Sequence, residues 1–281
     1  MIKIVTDSVS DLPKQFIEEY GIEVIPLKVM VDGREYQDGV DLDTNKMFAM
    51  LEKNNSIKLS TSQINILEFE NIFKEISNKT KDILCITLSS ALSGTYNSAC
   101  QAKENLDDLN IEIIDSKGIT LGFGMLVIKA ARLAKSGADL KTIKIEVEKM
   151  RDNLKYNIVF DTLEYAYRGG RIKKSEYLLG NLFNIKPIIT MKDGQMVVKE
   201  KVRGRKKAIK TIINNIKKSN ISLDGKEIGI NHANDIDYFN DLKQAILKEY
   251  KPKEIIESNV GCTVAAYSGL SAVALYYVEE E

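Results

Sequence analysis

Residues 83–99 read "ILCITLSSALSGTYNSA": an apolar run, a turn crowded with hydroxyls, then a segment compatible with helix. The run at 83–88 has the length and apolar content of a strand buried on both faces, as in sheets covered by helices. Residues 89–99 then carry five serine and threonine hydroxyls in eleven positions. Such residues cap helices and populate turns, which accounts for one or two of the five. The surplus fits a site that holds an anionic group with O–H donors and the free N–H groups of a helix start.

The same alternation of short apolar runs and helix-period segments extends both ways and predicts an α/β protein. In the first half, strands are expected at 2–6, 23–31, 83–88 and 111–115, and helices at 12–20, 45–53, 64–77, 94–105 and 119–135. Ile66, Phe69, Phe73 and Ile76 fall at three- and four-residue steps, so one face of the 64–77 helix is buried. Gly33 in "VDGREYQDG" marks a hairpin turn. From Tyr156 onward strands are expected at 158–160, 185–191, 196–199, 226–231, 254–258 and 272–278, and helices at 176–183, 206–218 and 236–249. "MKDGQM", residues 191–196, joins two strands antiparallel, because Asp-Gly supplies the positive φ angles of a tight turn. A chain of 281 residues has room for two domains. The change of pattern places them at 1–155, with a parallel sheet, and 156–281, with a mixed one.

Forty Lys and Arg balance forty Asp and Glu, and a net charge of zero gives no electrostatic footprint for nucleic acid. The basic stretch "KVRGRKKAIK", residues 201–210, reads as a solvated helix start or a phosphate-facing patch. Cys85, Cys100 and Cys262 lie far apart without a CxxC pair, which argues for a reducing compartment without disulfides or zinc. "MIKIVTDS" runs straight into a strand, and no apolar stretch approaches the roughly eighteen residues of a membrane span. The expectation is a cytoplasmic protein with no stable membrane insertion. A metal cluster or a Ser-His-Asp triad would depend on the single histidine, His232.

Several further stretches bear on chemistry. In "TDSVSDL", residues 6–12, Ser8 or Ser10 reads as a helix cap and Asp11 as a first-turn acid. Asp7 and Ser8 also stand at the carboxyl end of a strand, where open α/β sheets place ligands, and are second-rank site candidates. "LSTSQ", residues 59–63, packs Ser60, Thr61 and Ser62 before the 64–77 helix, more hydroxyls than one cap uses. If this helix start and the one after Ser93 face one crevice, two positive dipole ends and several O–H donors converge on it. "LSGTY" matches neither the GxxxxGK[ST] phosphate loop nor a G-x-S-x-G elbow, so Ser93 reads as a binding rather than a nucleophilic serine. Gly122 and Gly124 in the 119–135 helix permit either tight helix packing or passage of a long apolar ligand. Arg171, in the turn "YRGGR", either caps carbonyls or presents its guanidinium to a phosphate or a partner carboxylate.

Taken in order, "TDSVSDL", "STSQ", "LSSALSGTYNSA", "IIDSKGITLGFG", "YRGGRIKKS", "LGNLFNIKPII" and "KVRGRKKA" resemble the DegV family of two-domain bacterial lipid carriers over nearly the whole chain. The resemblance implies a DegV-like two-domain α/β fold with a ligand tunnel at or near the domain interface. It implies a bound long-chain fatty acid and no other cofactor. The carboxylate would be held by Thr61 and Ser93, with Ser62, Gly94, Thr95 and Thr120 near. It implies a non-catalytic carrier, without catalytic or metal-ligating residues, that presents the acid to an ATP-dependent fatty acid kinase. Arg171 and Arg203 would face that kinase. Two positions depart from the family pattern: Tyr267 in "AYSGLSA" stands where a histidine completes the head-group network, and Thr120 where serine is usual. A tyrosine still donates a hydrogen bond but carries no positive charge near neutral pH.

The physical requirements agree with this picture. Each methylene withdrawn from water contributes about 0.8 kcal/mol, whereas an unpaired charged head in the same cavity costs several kcal/mol. Clustered hydroxyls and N–H groups resolve the conflict without a lysine. Two other readings share the crevice: an enzyme using Ser93 as nucleophile or handling a phosphorylated substrate, and a regulatory module whose lipid only signals.

Overall fold

The computed structural model describes residues 2–54, 57–180 and 184–279. Four parallel strands, β1 (Lys3–Asp7), β2 (Glu23–Ile25), β6 (Asp82–Thr87) and β7 (Asn110–Asp115), form the N-terminal domain's main sheet in the order β2-β1-β6-β7. The apolar run expected as a strand at 83–88 is β6, central in this sheet and buried from Ile83 to Thr87. Its crossover helices are α1 (Lys14–Tyr20), α3 (Ile66–Ser77) and α4 (Thr95–Glu104).

A small antiparallel sheet, β4-β3-β5, sits beside it, built from β3 (Lys28–Val31), β4 (Arg34–Gln37) and β5 (Leu59–Ser62), with α2 (Thr44–Lys53) between the last two. It corrects two expectations. The strand expected at 23–31 is two strands in different sheets, divided at Pro26, which has no N–H to continue a ladder. The hydroxyls of "LSTS" lie on β5 rather than at a helix start. The α3 cap is Asn65, which closes a capping box with Glu68, its side chain accepting from Glu68 N at 3.0 Å. Both Asp-Gly turns fold as expected, with positive φ at Asp32, Gly33, Asp193 and Gly194.

The C-terminal domain holds a six-stranded mixed sheet, order β10-β9-β8-β13-β11-β12. Its strands are β8 (Leu154–Phe160), β9 (Ile185–Lys192), β10 (Gln195–Arg203), β11 (Glu227–Ala233), β12 (Glu254–Asn259) and β13 (Ala272–Val278); only β11 and β12 pair parallel. Helices α9 (Arg205–Lys218) and α10 (Ile236–Glu249) cover one face over a separate apolar core of Ile212, Ile230, Leu242 and Leu275. The other face receives α5 (Thr120–Lys135), which also packs on β1, so this helix lies between the two sheets and is buried nearly all round.

Four helices lie outside the expected set or its bounds: α6 (Leu140–Asn153), α7 (Glu164–Arg168), α8 (Lys174–Gly180) and α11 (Cys262–Ser268). The helix expected at 176–183 corresponds to α8; residues 181–183 lie outside the described residues. Although it follows β12, α11 packs against β3, β5 and α2 of the N-terminal domain.

The two glycines of α5 serve close packing. A Cβ on Gly122 would run into the Tyr156 ring and lie 2.7 Å from Tyr276 Cδ1, and one on Gly124 would strike the Ser10 carbonyl. Gly122→Ala is therefore expected to destabilise the fold by about 2 kcal/mol, in the range of overpacked cores. A lowered urea midpoint reads the effect; an unchanged one would contradict the close approach of α5 to the C-terminal sheet.

Candidate ligand-binding site

A cavity of about 190 Å³ opens at the carboxyl ends of β1 and β6, where the two domains meet. Its wall is mainly apolar: Leu27, Leu88 and Ile119 come from the N-terminal domain, Ile158, Phe160 and Ala274 from the C-terminal sheet. One side is closed by α11 and its flanks through Val260, Val264 and Tyr267. A slot of this composition suits an alkyl chain.

The polar lining gathers around Thr61, Ser93, Arg171 and Tyr267. Thr61 Oγ1 lies 2.5 Å from Tyr267 OH, and Ser93 Oγ lies 3.0 Å from Thr95 Oγ1 while accepting from Thr95 N at 3.3 Å. Each hydroxyl pair holds two protons and spends one on its mutual bond. One O–H donor per pair is thus left over; Thr95 itself is buried and does not line the cavity, so on that side Ser93 is the hydroxyl that does. Gln63 ties the segments together: Nε2 donates to Ser98 Oγ at 3.1 Å, and its amide lies against Gly94, where a Cβ would stand 2.8 Å from Gln63 Cδ.

Arg171 takes the first of its two expected roles, capping carbonyls. It donates to the carbonyls of Gly169 at 2.6 Å and Leu92 at 3.3 Å, and its guanidinium stands 4.9 Å from the Tyr267 ring centroid. The cavity wall at Tyr267 therefore carries a positive charge even though Tyr267 supplies none.

Other candidates sit further out. Ser62 is exposed on β5 and Arg203 is exposed at the end of β10; neither lines the cavity. Thr120 lines it, but its hydroxyl donates to Asp11 Oδ2 at 2.5 Å and accepts from Asn231 Nδ2 at 2.5 Å. Its φ of 52° puts a β-branched residue in the left-handed region, a conformation worth about 1–3 kcal/mol of strain that this network holds in place.

Asp7 and Ser8 brace the walls rather than line them. Asp7 accepts from Leu88 N at 2.7 Å and Val9 N at 3.0 Å, and burial pushes its carboxyl up to about 7. Ser8 donates to Asp38 at 3.0 Å and accepts from Leu27 N at 3.1 Å. Neither Ser8 nor Ser10 caps α1, whose first residue follows Pro13, and Asp11 is not in its first turn. Asp11 instead closes the short 3-10 turn at Ser8–Ser10 with φ 46°.

His232 reaches the cavity wall, but its Nδ1 accepts from Asp235 N at 3.3 Å and its ring packs 5.0 Å from Phe239 on the far side of the sheet. Burial lowers its pKa. Among the described residues no cluster of His, Cys, Asp and Glu is arranged to hold a metal ion, and no helix is long and apolar enough to cross a membrane. Sequence reasoning missed the wall formed by α11; seven residues carry too little periodicity to announce a helix.

Comparison with known proteins gives a consistent result. The family model described as "Uncharacterised protein, DegV family" matches residues 1–280. A DegV domain-containing protein of Caldanaerobacter subterraneus is 38% identical over 279 residues, 99% of each chain. A DegV family protein of Thermus thermophilus, described as binding fatty acid, superposes with a TM-score of 0.90 at 28% identity over 99% of each chain. The fatty acid binding protein DegV of Bacillus subtilis does so with a TM-score of 0.86 at 28% identity, again over 99% of each.

Proposed function

The chain belongs to the DegV family, and from that premise we propose that its cavity holds a long-chain fatty acid with the carboxylate at Thr61 and Ser93. What supports this reading is that Thr61, Tyr267 and Ser93 line one apolar cavity, Thr61 hydrogen-bonded to Tyr267 and Ser93 to the buried Thr95. Tyr267 takes the role of a neutral donor, and the guanidinium of Arg171 behind it supplies the charge. In this division of labour residues 1–155 provide the donors and residues 156–281 the sheet wall, with Tyr267 reaching back from the second domain to the first.

The protein acts as a non-catalytic carrier in the cytoplasm. It presents the acid to an ATP-dependent fatty acid kinase that forms the acyl phosphate, with Arg171 and the exposed Arg203 on the side facing that partner. The contacts of Ser93 favour carriage over nucleophilic catalysis. Its hydroxyl is shared with Thr95, and the imidazole of His232 is turned toward Asp235 and Phe239. A nucleophilic serine needs a base within hydrogen-bond reach.

Protein purified from a bacterial host is expected to carry one fatty acid per chain by native mass spectrometry. Thr61→Ala and Ser93→Ala should each weaken loading about tenfold, the effect of losing one hydrogen bond to a charged group. Absence of lipid from the wild-type protein, or loading in both variants as complete as in wild type, would overturn the assignment.

A further inference from the structure

We propose that Asp11 is a positioning residue for the ligand head group, acting at a distance through α11 and Tyr267; the proposal rests on the fatty acid reading of the cavity. Asp11 is buried and lines no part of the cavity itself. Its Oδ1 accepts from Gly261 N at 2.7 Å, immediately before α11, and its Oδ2 accepts from the Thr120 hydroxyl at 2.5 Å, at the start of α5. Thr120 in turn accepts from Asn231 Nδ2 at 2.5 Å, and Asn231 Oδ1 accepts from Tyr276 OH at 3.1 Å. One carboxylate therefore joins α11, α5 and the C-terminal sheet, the three elements that enclose the cavity.

The consequence falls on α11. It enters no sheet ladder and is connected to β12 and β13 only by short links; packing on β3, β5, α2 and α7 holds its body, and the hydrogen bonds at its two ends fix its register. At its start Asp11 holds Gly261 N, while Asp38 accepts from Cys262 N at 2.7 Å and Thr263 N at 3.1 Å. At its end Tyr267 meets Thr61 at 2.5 Å. A helix of seven residues is too short to bend, so a shift at Gly261 is passed to Tyr267 nearly undiminished. The fit at the start is close: a Cβ on Gly261 would stand 3.1 Å from both Asp11 Oδ1 and Asp38 Oδ1. Asp38, which follows β4, ties α11 to the small sheet and, through the Ser8 hydroxyl, to the turn after β1. Asp11 is the residue that also fixes it relative to Thr120 and the opposite wall, and both Asp11 and Thr120 are held in the left-handed region, with φ 46° and 52°.

A double-mutant cycle on the full chain separates positioning from general support. With cis-parinaric acid as the fluorescent probe, Asp11→Ala and Tyr267→Phe are each expected to weaken binding about tenfold, and the double variant to be weaker than either by less than about threefold. Amide exchange across residues 261–268 should accelerate in Asp11→Ala before exchange in α5 does. Asp11→Asn, which keeps an acceptor for Gly261 N, should restore slow exchange and part of the affinity; it also serves as the variant if Asp11→Ala fails to fold. Multiplicative losses in the cycle, wild-type affinity in Asp11→Ala, or unchanged exchange in 261–268 would overturn the proposal. Failure of wild-type protein to bind the probe would instead sink the fatty acid reading, and the exchange measurement would still report whether Asp11 holds α11.

Discussion

Ala274→Phe protein is expected to leave a bacterial host folded and empty of lipid. Ala274 lies on β13, opposite Asn231 on one side and Ile158 on the other, and its small side chain faces the cavity from the sheet. A benzyl group there occupies space that an acyl chain would fill. Displacing about four methylenes forfeits roughly 3 kcal/mol of burial, more than a hundredfold in affinity. The ring enters an existing void, so the destabilisation usual for overpacked cores is small here. Two measurements decide the matter. Native mass spectrometry should show bare protein, and added fatty acid should no longer raise the melting temperature as a ligand specific to the folded state does. Ala274→Leu, a smaller intrusion, should fall between the two. Stoichiometric lipid in Ala274→Phe would mean that the tail lies elsewhere.

The contrast between what such a variant tests and what the sequence displays is instructive. The strand and hydroxyl turn at 83–99 are local features, and local chemistry made them legible: an apolar run buried on both faces becomes β6, and of the surplus hydroxyls Ser93 lines the cavity while Thr95 is buried behind it as its hydrogen-bond partner. The partner of Thr61 is a different matter. Tyr267 lies 206 positions further along the chain, and no periodicity announces a pairing made by tertiary folding alone. Pro26 carried a readable signal, since a residue without an N–H seldom continues a central ladder, and it marks where one expected strand becomes two. Asp11 was misread for the opposite reason. Its sequence context looks like a helix cap, and only the fold reveals that Pro13 stands ahead of α1 and that the carboxylate reaches Gly261 and Thr120. Residues that make a site by local chemistry can be found in sequence; residues that place it by long-range hydrogen bonds cannot.

Stability is expected to fall as pH rises from 5 to 7, the reverse of proteins whose carboxylates sit in ion pairs. Burial pushes Asp7 up to about 7 from its ordinary 3.8, and it raises Asp11 as well, with the nearby Asp38 disfavouring charge on both. Between those two values the folded chain holds a proton on Asp7 that the unfolded chain has released. The folded state therefore binds more protons, and linkage makes stability decline with rising pH by about 1.4 kcal/mol per unit for each such group. The contribution is complete below the ordinary carboxylate range and is lost as pH passes through about 7. Glu227, raised chiefly by burial, has the same sign. His232 opposes them: burial lowers its pKa, so it contributes stability that is lost as pH falls through the ordinary histidine range. Asp7, Asp11 and Glu227 share one sign, and His232 opposes them. Urea midpoints between pH 5 and 7 should drop by an amount equivalent to about 3 kcal/mol if one such group prevails, and Asp7→Asn should flatten the slope. A midpoint that rises over this interval would show that Asp7 is ionised in the folded protein. Its two N–H bonds from Val9 and Leu88 would then outweigh burial, and the loops flanking the cavity would be held by a charge rather than by a neutral acid.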